Sequence, residues 1–174
     1  VPLALVVGLS AGLCEELARW IALRTVLREV RTKPQAAQFG AGHGGGESIL
    51  FGVLAMIGLL NSVALSVIPV SWLGLTDAQA AQAWSSVEAY WRSPWTTAIV
   101  AGLERVVAVG AHVGFAVLVT RAVAQRRVVW LALAVALHAA LDAWAVWSMR
   151  RYGATAAELG AALVAALTLG IALS

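Results

Sequence analysis

The sequence predicts an all-α, polytopic membrane helix bundle, and three observations carry that prediction. Hydrophobic residues make up 61% of the 174-residue chain and charged residues only 12%, whereas soluble domains are about 45–50% apolar. The mean hydropathy is +0.84. The apolar residues also fall into five long stretches flanked by basic residues, and a bilayer core needs about 20 apolar residues per helix. A single transmembrane helical domain over 1–174 is expected.

The first span covers roughly 1–27; its end carries Arg24, followed by Arg28, Arg31 and Lys33, with Pro34 as a stop. The second covers roughly 36–70. The glycine-rich sequence from Gly40 to Glu47 is expected to interrupt it near its start, and Pro69 marks its end. Residues 71–94 form a polar extramembrane loop in which Thr76 and Asp77 cap a short helix through Glu88. Trp72, Trp84, Trp91 and Trp95 suit an interfacial belt. The third span covers roughly 95–123 and is closed by Arg121, Arg126 and Arg127. The fourth, roughly 128–149, is closed by Arg150 and Arg151, and the fifth covers roughly 155–173. The chain is apolar from Val1 and has no charged leader region, so no signal peptide is read. It reads as a truncated chain with room for a further helix on either side.

A net charge of +3 and a pI near 9.8 do not imply nucleic acid. The basic residues flank apolar runs, as the positive-inside rule requires. Four follow the first span and three the third, against Arg92 alone in 71–94. That bias puts the first two of these loops in the cytoplasm and the tryptophan-rich loop outside, with Arg150 and Arg151 running against the rule. A multi-pass bacterial plasma-membrane protein is expected. Cys14, the single cysteine, excludes an internal disulfide and reads as a small buried residue.

Against this apolar background the ionisable residues stand out. A charge at bilayer depth costs at least about 2.5–3.5 kcal/mol, yet Glu15, Glu16 and Arg19 sit inside the first span. Glu15 lies nine residues before Arg24, His43 ten after Lys33, His112 nine before Arg121 and His138 eleven after Arg127. At 1.5 Å per residue each is ~13–17 Å from a basic anchor. Four segments therefore place an ionisable group in one layer. Either Glu15 or Glu16 can pair with Arg19 along a helix. His43 and Glu47 are four apart, and Glu104 and Arg105 are adjacent, with Arg105 seven before His112. Asp142, four after His138, can hold one imidazole nitrogen and orient the other.

Three histidines and several carboxylates on converging helices suit a divalent metal, above all Zn2+, which takes three protein ligands and leaves a position for water. His43, His112 and His138 are the candidate ligands. Glu15 or Glu16 is the candidate base, taking the water's proton and later delivering it to a leaving amine. Weaker readings stand beside these. A lone membrane histidine can be interhelical glue, worth about 0.6 kcal/mol. Glu104–Arg105 can be a structural ion pair, and the glycines a close-packing turn.

The ordered set of Glu-Glu-x-x-Arg at Glu15–Arg19, Gly-His-Gly-Gly-x-Glu at Gly42–Glu47, Glu104-Arg105 ahead of His112, and His-x-x-x-Asp at His138–Asp142 resembles the YhfC family. That family is similar in motif order to the CAAX-prenyl proteases, the bacteriocin-processing enzymes and, more distantly, PrsW-type proteases. The resemblance covers the first span through the fourth. It implies an intramembrane metalloprotease acting on membrane-embedded peptides. Glu15, Glu16 and Glu47 would be catalytic carboxylates with Arg19 as partner. His43, His112 and His138 would be metal or oxyanion residues, supported by Glu104, Arg105 and Asp142. The CAAX branch also implies a glutamate–histidine mechanism without catalytic metal. The rival readings of the same cluster are a transporter or proton relay, and a haem protein ligated by His112 and His138.

Overall fold

The structure is a computed structural model that describes the backbone of all 174 residues and the side chains of all but residues 70 and 71. Six α-helices follow in order among the described residues: α1 (Pro2–Thr25), α2 (Lys33–Val67), α3 (Asp77–Arg92), α4 (Thr96–Gln125), α5 (Val128–Tyr152) and α6 (Ala154–Leu173). Four of them, α2, α4, α5 and α6, are long and apolar enough to cross a membrane by length and composition. α1 has 24 residues and differs in carrying Glu15, Glu16 and Arg19.

The expected interruption of the second span is absent. α2 runs 35 residues without a break, straight through Gly40–Gly46. The reason is packing. A Cβ on Gly40 would lie 2.5 Å from the His112 carbonyl oxygen, and one on Gly44 would lie 2.9 Å from the Val109 Cα. Two glycines four apart thus let α2 approach the α4 backbone, which offsets their poor helix propensity. Pro34 is not a stop after α1; it stands in the first turn of α2, where its missing N–H costs nothing. Ahead of it, Thr32 N–H donates to the Gln35 side chain, whose own backbone N–H donates to Thr32 Oγ1, a capping box. Thr76 and Gln79 cap α3 in the same way.

By contacts the chain divides into two compact units, residues 1–46 with 103–174, and residues 47–102. In the second, Val87 and Ser62 are buried and Trp91 donates to Ser66 Oγ at 3.3 Å. Trp72, Trp84, Trp91 and Trp95 are all exposed.

The first unit holds the polar layer. α1 packs on α5 and α5 on α6. Gly8 lies against Ala139 and Ala143, and Gly12 against Val135 and Ala139, so α1 and α5 run antiparallel in close contact. Buried residues in this unit are mostly small, while Leu3, Leu9, Leu13, Ile21, Leu159 and Leu163 are exposed. A bundle in lipid has that distribution, since tails solvate leucine as well as a core does. Cys14 is exposed rather than buried, because the α1 face it shares with Leu13 and Leu17 turns outward. One apolar cluster, including Leu23, Leu118 and Leu131, fills one end of the unit, and a second, Ala111, Phe115 and Ala165, lies deeper. Gly153, at φ +84°, stops α5 and starts α6; its N–H donates to the Ser148 and Met149 carbonyls.

Candidate active site

Glu16 and Arg19 are one helical turn apart on the face of α1 that packs inward, and both side chains are fully buried. Arg19 Nη1 donates to both Glu16 oxygens at 2.9 and 2.7 Å. The same Glu16 accepts from His138 Nδ1 at 2.7 Å. Arg19 Nη2 stands 3.0 Å from His112 Nδ1. A guanidinium has no acceptor, so Nδ1 of His112 accepts and the proton of the neutral ring sits on Nε2. The Glu16 carboxylate likewise takes the Nδ1 proton of His138 as a hydrogen bond, which turns the lone pair of neutral His138 outward on Nε2. A buried chain of His138, Glu16, Arg19 and His112 thus joins three helices and fixes both imidazoles.

Glu15, one residue earlier, points elsewhere because successive helical residues lie about 100° apart. It is 35% exposed, and its Oε2 lies 3.3 Å from His43 Nε2 and 4.0 Å from His138 Nε2. Oε2 is nonetheless shielded from solvent and makes no hydrogen bond, the His43 contact falling outside bonding geometry. The three imidazoles converge on it. His43 stacks on His112 with centroids 4.8 Å apart, and His112 meets His138 edge-on at 5.5 Å. Asp142 Oδ2 is 3.6 Å from His138 Nε2.

Four groups expected in one layer, Glu15, His43, His112 and His138, therefore lie around one point. Glu16, Arg19 and Asp142 join them. Arg105 pairs with its neighbour Glu104 on α4. Glu47 is the first residue of the second unit. One participant escapes a reading of the sequence alone. Phe115 is buried and stacks on His138 at 4.6 Å with the rings 7° from parallel. Its position three residues after His112 is the available signal.

The donor set fits a metal on one condition. One oxygen of Glu15 and one nitrogen each of His43 and His112 lie within 4.8 Å of one another. A carboxylate with two imidazoles is a zinc-binding set, and an unbonded, shielded carboxylate oxygen facing imidazoles is what such a site offers. The tightest trio thus includes Glu15 and leaves His138 to Glu16. The condition is that neutral His112 can ligate through Nε2 only with its proton on Nδ1, which requires Arg19 to release that nitrogen.

The chain matches the sequence profile of the YhfC intramembrane metalloprotease family over residues 1–162. It is also similar to the uncharacterized membrane protein YhfC of Bacillus subtilis (strain 168), at 33% identity over 164 residues. That match covers 92% of this chain and 63% of the relative, so the chain spans less than two thirds of the relative's length. No solved structure matches it.

Proposed function

The chain belongs to the YhfC intramembrane metalloprotease family, and from that membership and the buried site we propose that it hydrolyses peptide bonds of membrane-embedded substrates. The observation that carries the reading is Glu15 Oε2, a shielded carboxylate oxygen without a hydrogen bond, surrounded by three imidazoles among apolar helices.

Glu15 is the base. It takes a proton from water as the oxygen adds to the scissile carbonyl carbon, and returns it to the amine as the C–N bond breaks. His138 is held by Glu16 with Nε2 toward Glu15, where it can orient that water. Glu16 and Arg19 are positioning residues, since each acts through an imidazole. A bound Zn2+ would be held by His43, His112 and one oxygen of Glu15 and would supply Lewis acidity and a water acidified to about pKa 7, leaving only the other Glu15 oxygen to take the proton.

A second reading is favoured by one bond. With Arg19 on its Nδ1, neutral His112 presents Nε2–H, a donor able to stabilise the oxyanion. Glu15 and His112 would then suffice without metal, as in a glutamate-type protease.

Cleavage of a reporter membrane peptide by the purified protein, with metal analysis, tests both. Activity abolished by Glu15→Gln, with one zinc per chain lost in His43→Ala, is the expected result. Activity unaffected by chelation selects the glutamate–histidine mode. Proton flux in liposomes that depends on Glu15, without peptidase activity, would replace both with a relay.

A further inference from the structure

The end of the first unit opposite Arg150 and Arg151 carries an open cavity of about 840 Å³. Two segments far apart in sequence line it: Trp20, Arg24, Arg28 and Arg31 at the end of α1, and Arg126 in the turn between α4 and α5. The arginines are not equivalent. Arg31 is spent on the protein, donating to the Leu23, Leu27 and Val30 carbonyls. Arg24 lies over the Trp20 ring, 4.5 Å from its centroid. Arg28 and Arg126 are exposed and, among the described residues, pair with no carboxylate. Glu29 is the one acidic residue in the segment 26–32 and forms no ion pair with any of them.

The backbone at Arg126 is a second, independent observation. α4 ends with the Arg127 N–H donating back to the Ala122 carbonyl, and Arg126 takes φ +55°. That is a Schellman turn, whose left-handed position belongs to glycine or asparagine. An arginine there is the only left-handed non-glycine residue among those described, and such strain gathers at binding sites.

We infer that this cavity binds the phosphate of an anionic phospholipid headgroup. Guanidinium forks match phosphate oxygens in pairs. A basic pocket between helices, beside a tryptophan at a helix end, is where headgroups bind. The cavity volume lies within the range of small-molecule sites and leaves room for a glycerol moiety beside the phosphate. This site is independent of the peptidase reading.

The test uses the full chain purified in neutral detergent. Phosphatidylglycerol should raise the unfolding midpoint by about 2–4 °C, and phosphatidylcholine should not. The preference should weaken with salt and vanish in R28Q/R126Q, while R150Q/R151Q keeps it. Native mass spectrometry of the parent, taken from vesicles of both lipids, should show retained phosphatidylglycerol even where the double variant fails to fold. Inorganic phosphate matching the lipid's effect would overturn the lipid assignment in favour of the free anion. Equal response of the parent to the two lipids, or an undiminished preference in R28Q/R126Q, overturns the proposal.

Discussion

Neighbouring carboxylates in this chain have opposite duties. Glu16 is buried and accepts from Arg19 and His138; Glu15 accepts no hydrogen bond at Oε2, which lies in ion-pair range of His43. Glu16→Gln should therefore cost stability, because it leaves Arg19 charged and buried with a weaker acceptor. Breaking such a pair costs about 3–5 kcal/mol, visible as a lowered unfolding midpoint in detergent. Glu15→Gln should leave the midpoint nearly unchanged yet slow cleavage by about 10²–10⁴-fold. A reversed pattern, stability lost at Glu15 and activity spared, would sink the assignment. Metal uptake should weaken as pH falls, since imidazole and carboxylate ligands bind a metal only in their unprotonated forms; isothermal titration across pH measures this. In the sequence, Glu15 and Glu16 are both eligible partners for Arg19, which lies four and three residues after them. Which one pairs is decided by what α5 brings to each face, and His138 meets Glu16. The same tertiary choice hides the reach of Arg19 to His112, which lies 93 positions away. Depth from the basic anchors, by contrast, is a one-dimensional quantity, and it is legible for Glu15, His43, His112 and His138.

Among the helices, glycine spacing separates packing from mere flexibility. Gly40 and Gly44 meet α4, whereas a Cβ added at Gly42 or Gly45 would find nothing within 4 Å. Gly42→Ala should thus be tolerated or stabilising by about 0.5–1 kcal/mol, through helix propensity alone. Gly44→Leu should disrupt the site, because its Cβ would lie 3.1 Å from His112 Cδ2 and the longer side chain would press the imidazole off Arg19. Cleavage lost in the second variant and kept in the first is the expected result; equal loss in both would point to a hinge and not to packing. Glycine is a poor helix former in isolation, so the stretch reads as a break when taken alone. What decides otherwise is the opposing surface, which only the fold supplies. The i, i+4 repeat of Gly8 with Gly12 and of Gly40 with Gly44 is visible in the sequence, and helix contact is its meaning. Helices α4 and α5 end at Gln125 and Tyr152, beside basic residues and glycine.

At the scale of the first unit, charge is segregated along the helix axes. The antiparallel register of α1 and α5 brings the 26–32 segment and the turn at Arg126 to one end. Arg121 donates to the Ile171 and Ala172 carbonyls, and Lys33 to that of Leu173, so α6 finishes at the same end. Val1 lines a cavity with Arg150 and Arg151 at the other. Seven basic residues, Arg24, Arg28, Arg31, Lys33, Arg121, Arg126 and Arg127, therefore share one end against two. The positive-inside rule counts such residues near span ends, and acidic ones contribute little. The seven-residue end should face the cytoplasm, which makes the Arg150–Arg151 pair a tolerated minority. Single cysteines at Glu29, Gln125 and Tyr152, in a Cys14→Ser background, test this in intact cells. A membrane-impermeant thiol reagent should label Tyr152→Cys from outside and reach Glu29→Cys and Gln125→Cys only after lysis. Because α5 has 25 residues, its two ends lie ~37 Å apart at 1.5 Å per residue, enough to put a hydrocarbon core of about 30 Å between them. Labelling of Glu29→Cys and Gln125→Cys from opposite sides would contradict the register that Gly8 and Gly12 set against α5, and with it the meeting of Glu16 and His138. Labelling of Glu29→Cys and Gln125→Cys from outside with Tyr152→Cys protected would leave that register intact and reverse only the membrane orientation.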